Sequence, residues 1–383
     1  MDFTLTEEQI TLRRTVHDFA VRELEPGSRE RDEKEEFAWD AFHKLADLGL
    51  TGLGIPPDLG GSGGDLLQTA ITTEELARSD AAVSLLLLAH LSLGTVAINK
   101  FGNDAQRKKY VPPLAAGKKV AAFGLTEPNA GSDAAAQSTT AVRKGNKYIL
   151  NGSKMFITNG DVADTFIVFT TEDRSKRAKG VSAFIIERGF KGFSSRKQTG
   201  KMGMRASTLA ELFFEDCEVP AENLVGQSQQ GFPIAMQILD SSRPIIGAQA
   251  LGIAQGCLDL ALKQARRRHA FGKPIGDFQG VQFMLADMAT QIDAARLLVY
   301  RAANLYDKGL PFSKEASMAK LFASETAMRV ASDALQLHGG YGYFKESPVE
   351  RFFRDAKVTE IYEGTSQIQR LVIARHLLAE PTI

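Results

Sequence analysis

Residues 359–370 read TEIYEGTSQIQR, and a single carboxylate, Glu363, stands there between a tyrosine and a Gly-Thr-Ser turn. A lone glutamate is ordinarily solvated surface, so a chemical role needs support from the rest of the chain. Other stretches carry reactive types. ARRRHAFGKPIGDFQ (265–279) ends a helical pattern with three adjacent arginines; these complement a negative helix end, and one of them can act as a planar fork on a phosphate. FGLTEPNAGSD (123–133) closes an apolar strand with Thr126 and then offers Asn129, Gly131 and Ser132 in a turn able to wrap a polar ligand. MFITNG (155–160) sets an aromatic and a hydroxyl before a turn, and HGGYGY (338–343) places paired glycines after a helix. Taken singly, each of these last three stretches is equally a capped turn.

Two motif matches fail on context. Gly60-Gly61-Ser62-Gly63-Gly64 satisfies GxSxG, but a nucleophile elbow needs a strand before it, and Pro56-Pro57-Asp58 stands there instead. Gly52-Leu53-Gly54 begins a dinucleotide fingerprint whose third glycine is replaced by Pro57, again with no strand before it.

The elements that must position these residues fall into three blocks. Through Gly117 the pattern is helical: EEQITLRRTVHDFAVREL, FAWDAFHKLADLG and LLQTAITTEELARSD read as helices, and the apolar run 81–98, broken by His90 and Gly94 and shorter than the ~20 residues of a membrane span, reads as a buried helix. From 118 to 228 the period changes to short β-branched and aromatic runs (YILNGSKMFIT, DTFIVFTTE, GVSAFIIERG, LAELFFEDCEV), with KGNKY as a hairpin turn. From 229 to 383 long helical segments of bundle length return. The expected architecture is therefore α+β multidomain: an N-terminal helical domain (1–117), a middle antiparallel β domain (118–228) and a C-terminal four-helix bundle (229–383). Segregation of strands from helices excludes a doubly wound parallel sheet.

Composition narrows the function classes. Lys plus Arg and Asp plus Glu each total 46 of 383 residues, so no overall field draws nucleic acid or an anionic membrane. Cys217 and Cys257 are too few for a disulfide framework or a cysteine metal site, and no metal is expected. The start, MDFTLTEEQ, lacks both a basic-then-apolar leader and transit-peptide character, which makes the cytoplasm the expected compartment.

FGLTEPNAGSD, NGSKMFITNG, RRRHAFGKPIGDFQ, QLHGGYG and IYEGTSQIQR occur in this order, and together they resemble the acyl-CoA dehydrogenase family over essentially the whole chain. The likeness is to its short- to medium-chain, butyryl-CoA dehydrogenase-like type. The resemblance implies non-covalent FAD. Thr126 and Thr158 would hydrogen-bond the flavin ring and Phe156 would pack on it, with Phe123, Leu125, Gly131, Ser132 and Ile157 in the same set. Arg268, Phe271 and Gln279, with Gln336, Leu337, His338, Gly339 and Gly340, match the diphosphate and adenosine side, which in the family comes from a neighbouring subunit. Thr365 and Gln367 match further FAD contacts. A dimer at least, and a homotetramer by family habit, is thereby implied.

Leu239, Asp240 and Arg243 match the family's grip on coenzyme A, as does Ser132, while Tyr362 would help desolvate the base and Gly364 would let the backbone come close to the substrate. Glu363 matches the catalytic base, which removes an α-proton while the β-hydrogen leaves as hydride for flavin N5; the resulting enoyl-CoA is trans-2, and the electrons pass to an electron-transferring flavoprotein. Such a base must be desolvated to raise its pKa toward the working pH. Some relatives carry the base on the bundle helix instead, at the position held here by Ser242, so a straight-chain acyl group is favoured. Other readings of the same fold are an oxygen-using acyl-CoA oxidase or flavin monooxygenase, and a non-catalytic CoA-binding scaffold. Ala270 and His338 depart from the family pattern. His90, in the segment expected to line the acyl pocket, is expected to be satisfied by a backbone carbonyl.

Overall fold

The computed structural model describes residues 4–379. Seven helices come first: α1 (Glu7–Phe19), α2 (Ser28–Lys34), α3 (Trp39–Asp47), α4 (Leu66–Ser79), α5 (Ala81–Leu88), α6 (Val96–Phe101) and α7 (Asp104–Ala115). Their starts are encoded locally. Thr6, Asp65 and Asn103 each form a capping box with the glutamine three residues on, so that orphan helix N–H groups find side-chain acceptors. Between α5 and α6 the chain winds wider, as a π-helical stretch over Ala89–Thr95, a detail that apolar periodicity does not announce.

Eight strands follow: β1 (Ala121–Gly124), β2 (Thr140–Lys144), β3 (Lys147–Thr158), β4 (Thr165–Thr171), β5 (Val181–Glu187), β6 (Phe193–Gln198), β7 (Leu209–Pro220) and β8 (Leu224–Val225). KGNKY is the hairpin between β2 and β3, pairing Lys144 with Lys147 around Gly145 at φ 63°, a left-handed conformation that glycine adopts without strain. The sheet runs β6-β7-β3-β2-β4-β5-β8. It is mixed rather than antiparallel, which corrects the expectation: β1 lies parallel to β4 from Ala121↔Thr165 to Gly124↔Val168, and β2 meets β4 in parallel at Thr140↔Thr171. Pairing direction between strands this far apart is set by the crossover through the β2–β3 hairpin, to which local alternation is blind.

The remaining helices are α8 (Gly231–Arg267), α9 (Gln279–Asp307), α10 (Ser313–His338), α11 (Pro348–Val358) and α12 (Ser366–Ala379), with a small hairpin of β9 (His269–Ala270) and β10 (Lys273–Pro274) after α8. α8 is one helix of 37 residues that continues through Pro244. It packs so closely on α4 that a Cβ on Gly252 would stand 2.2 Å from the Glu74 carbonyl and one on Gly256 2.5 Å from that of Arg78. Glycine is required there by contact, and its helix-propensity cost is offset by the packing.

Around this crossing lies a buried ionic cluster. Arg296 Nε donates to Glu74 at 3.0 Å, Tyr300 Oη to the same carboxylate at 2.7 Å, and Arg13 Nε to Glu75 at 2.7 Å, tying α1, α4 and α9 together. Two segments, 81–101 and α8, are long and apolar enough to cross a membrane, and their apolar windows are 94% and 78% buried inside the protein, where they form core.

Candidate active site

Glu363 lies in the turn between α11 and α12 with φ 50°, followed by Gly364 at φ 97°. A non-glycine residue in the left-handed region costs about 1–2 kcal/mol and is retained where the surroundings impose it. The turn is held from both sides of the sequence. Gln369 Nε2 donates to the Glu363 carbonyl at 3.2 Å and to the Gly364 carbonyl at 2.9 Å, and Lys320 Nζ donates to the Gly364 carbonyl at 2.8 Å. Thr365 Oγ1 accepts from the Ile368 N–H at 3.3 Å and so starts α12.

The Glu363 carboxylate accepts a hydrogen bond from the Ser242 hydroxyl of α8. By exposed surface the residue is only partly covered, but burial of its carboxyl pushes the pKa up to about 7, against the Ser242 hydrogen bond and the Lys320 and Arg243 charges, which favour the anion. The result is a carboxyl that gains and loses a proton near neutrality, placed beside donors rather than bulk water.

Tyr362 donates through its hydroxyl to Gln249, whose Nε2 donates to the Ala81 carbonyl at 3.0 Å, so α8, the start of α5 and the Glu363 turn are joined. Asn159, just after β3, donates to the Leu86 carbonyl of α5 at 2.9 Å. The strand that carries Phe156 and Thr158 is thereby fixed to the same helix as the turn that carries Glu363.

Thr126 lies beside β3: the Met155 N–H donates to the Thr126 carbonyl at 2.8 Å, and the buried Lys154 ammonium donates to the Leu125 carbonyl at 3.2 Å and to Glu127 at 2.7 Å. Glu127 in turn accepts from Ser138 and from the Thr139 N–H. Phe156, at φ 59°, is 57% exposed, with Thr126 and Thr158 half-buried nearby. An exposed ring flanked by hydroxyls fits a flat heteroaromatic group with polar edges. Leu125 and Ile157 are buried core side chains, so a ligand can meet them only through main-chain atoms, and the half-buried Phe123 ring packs on Phe169 with centroids 4.9 Å apart. Gly131 and Ser132 are exposed, and the neighbouring Asp133 is held by Arg177 with both oxygens at 2.7 Å.

On α8, Leu239 and Asp240 are half-buried, and Arg243 is buried, paired with Asp240 and 3.4 Å from Ser317 Oγ. Arg243 Nε is buried without a hydrogen-bond partner among the described residues, an orphaned donor of the kind a polar ligand satisfies.

The arginine motif and the glycine motif come together at one end of the bundle, where Arg268 Cζ stands 5.8 Å over the Tyr341 ring. Arg268, Phe271, Gln279, Gln336, Gly339 and Gly340 are exposed there; Leu337 packs partly into the core, and His338 Nδ1 lies 2.8 Å from the Ala334 carbonyl of its own helix. Among the described residues no hydrogen bond, ion pair or ring contact links this surface to the Thr126–Thr158 group of the same chain. Thr365 and Gln367 share a cleft of about 220 Å³ with Arg370 beside the Glu363 turn.

His90 is fully buried and serves structure. Nε2 reaches the Leu114 carbonyl at 3.1 Å and Nδ1 accepts from the Ala121 N–H at 3.0 Å, while burial lowers its pKa to about 4 and keeps it neutral. Ser62, of the rejected GxSxG match, donates to the Gly49 carbonyl at 2.7 Å in an irregular loop. Sequence reading missed Lys320 and Gln369. Both sit fully buried, and three-dimensional placement alone reveals them.

Residues 6–118, 122–217 and 229–378 match the N-terminal, middle and C-terminal domains of acyl-CoA dehydrogenase. The chain is 51% identical over 374 residues to the short-chain specific acyl-CoA dehydrogenase of Clostridium acetobutylicum, covering 98% of this chain and 99% of that one. It superposes on butyryl-CoA dehydrogenase from Megasphaera elsdenii with a TM-score of 0.96 and 47% identity, covering 99% and 100% of the two chains. A structure from work on the electron transferring flavoprotein of Acidaminococcus fermentans and flavin-based electron bifurcation aligns with a TM-score of 0.97 and 50% identity, covering 99% and 100%. The match of three consecutive domains, with relatives of about half-identical sequence along nearly the full length, means that the chain belongs to the acyl-CoA dehydrogenase family of flavin-dependent enzymes.

Proposed function

We propose that Glu363 is the base that takes the α-proton of a short, straight-chain acyl-CoA, and that the chain is an acyl-CoA dehydrogenase forming the trans-2-enoyl-CoA and passing electrons to an electron-transferring flavoprotein. One observation carries the assignment of the base: a carboxyl at a pKa of about 7, held by Ser242 in a left-handed turn beside Lys320 and Arg243. A base near neutral pKa is both ionised and strong enough to accept a proton at working pH. The proton goes to a Glu363 oxygen, and the C–H electron pair it leaves becomes the new Cα–Cβ π bond. Bound flavin supplies the acceptor for the hydride that departs from the β-carbon.

The other residues bind and orient. Arg243, with its orphaned Nε, and Asp240 face the coenzyme A side with Leu239 and Ser132, while Tyr362 and Gly364 border the reacting carbons. Phe156, Thr126, Thr158, Gly131 and the main chain of Leu125 and Ile157 take the flavin ring. We assign FAD rather than a mononucleotide, because Arg268 over Tyr341 offers cation and stacking surface to a diphosphate and an adenine. Arg268, Phe271, Gln279 and 336–340 together serve the flavin of a second copy, so the holoenzyme is at least a dimer and, by family habit, a tetramer. Cys217 and Cys257 are buried free thiols, in keeping with a reducing compartment, which we take to be the cytoplasm.

An anaerobic titration with straight-chain, branched and cyclic acyl-CoAs tests this reading. Short straight chains are expected to bleach the yellow holoenzyme most completely. Bleaching only by branched or long chains would overturn the substrate assignment, and rapid peroxide formation in air would favour an oxidase.

A further inference from the structure

Lys320 is a lysine on the inner face of α10 with no exposed surface. Burying an ammonium is costly unless it is matched by acceptors and nearby negative charge. Its hydrogen bond goes to a main-chain carbonyl, that of Gly364, the residue after the base. The charged groups that act on it are Glu363 and Glu360 from the segment after α11, Arg243 from α8 and Glu325 from α10 itself, and burial lowers its pKa to about 8. One turn earlier on α10, Ser317 meets Arg243 at 3.4 Å, so the helix presents both residues toward the same site.

The Gly364 carbonyl is thus held by two donors, Lys320 Nζ at 2.8 Å and Gln369 Nε2 at 2.9 Å, while Gln369 also holds the Glu363 carbonyl. Those two carbonyls bound the peptide whose left-handed geometry, φ 50° then φ 97°, aims the base. Relaxation of Glu363 to an ordinary φ would turn the Gly364 carbonyl away from both donors.

We infer that Lys320 is a positioning residue for the dehydrogenation: its ammonium, with Gln369, locks the Glu363–Gly364 turn and keeps a positive charge beside the base. This rests on the reading of Glu363 as that base. A lysine serving only to fill the core would leave the proton-transfer step unaffected by its charge.

Anaerobic stopped-flow flavin reduction by butyryl-CoA across pH, on holoenzyme, separates these roles. Lys320→Met is expected to slow the limiting reduction rate at pH 7 about tenfold and to move the acidic limb about one pH unit to the alkaline side, because loss of a nearby cation makes the carboxyl harder to ionise. The apparent Kd for butyryl-CoA should change less than about threefold, and Lys320→Arg should restore the limb. Should Lys320→Met not fold, Lys320→Gln keeps a donor without the charge, and the same displaced limb is expected. A wild-type limb and rate in the neutral variant that folds would overturn the role of Lys320. Glu363→Gln is run alongside: if it still bleaches, the assignment of the base fails; if it is inert while the neutral Lys320 variant behaves as wild type, Lys320 alone loses its role.

Discussion

The Ser242 hydroxyl donates a hydrogen bond to the Glu363 carboxylate, joining two residues 121 positions apart. This bond favours the ionised base, so Ser242→Ala should move the acidic limb of kcat/KM to higher pH. A loss of about threefold to tenfold at pH 6.5, shrinking toward wild-type activity at pH 8.5, is expected from removing one charge-assisted hydrogen bond. A pH-independent loss would point to altered binding instead.

Glu363 should also cost stability in its charged form. Its pKa rises from 4.5 to about 7 on folding, so the folded state binds the extra proton between those values and stability falls as pH rises through that window. Glu363→Gln lacks this penalty. Because the residue is partly exposed, its advantage over wild type should grow by about 2 kcal/mol between pH 4.5 and pH 8, rather than by the full shift. Denaturant unfolding at the two pH values measures it.

His90→Leu removes the partners of the Leu114 carbonyl and the Ala121 N–H, both buried. A loss of about 2–4 kcal/mol is expected by thermal or denaturant unfolding, while bleaching by butyryl-CoA survives. Loss of bleaching in folded protein would move His90 from scaffold to acyl pocket.

Phe271 is 95% exposed and Tyr341 71% exposed, on the surface where Arg268 lies over Tyr341. Combined Arg268→Ala and Phe271→Ala substitution should release flavin and lower the assembly mass measured by light scattering. Full retention of FAD by a monomer would remove the shared cofactor site.

Much of this was legible before the fold. The change from helical period to strands and back is a local property, and the carboxylate between tyrosine and glycine stood out because its turn had no other reason for acidity. What local pattern cannot carry is long-range pairing: the parallel β1–β4 contact, the single helix running through Pro244, and β6, whose FSSRKQ is mostly polar. Lys320 stayed hidden for the same reason. A lysine among alanines on a helix reads as a solvated residue, and only the turn folding back from α11 gives its ammonium a buried acceptor. The burial of the Leu125 and Ile157 side chains was likewise not legible in the sequence, since it is set by how β1 and β3 pack into the core.

Anaerobic mixing of the flavin-loaded protein with butyryl-CoA tests Glu363 most directly. Wild type should bleach, with a rate that climbs through an apparent pKa near 7; Glu363→Gln should bind the thioester and stay yellow, its reduction slowed at least about 10²-fold. Bleaching of that variant at close to the wild-type rate would contradict its role as the base.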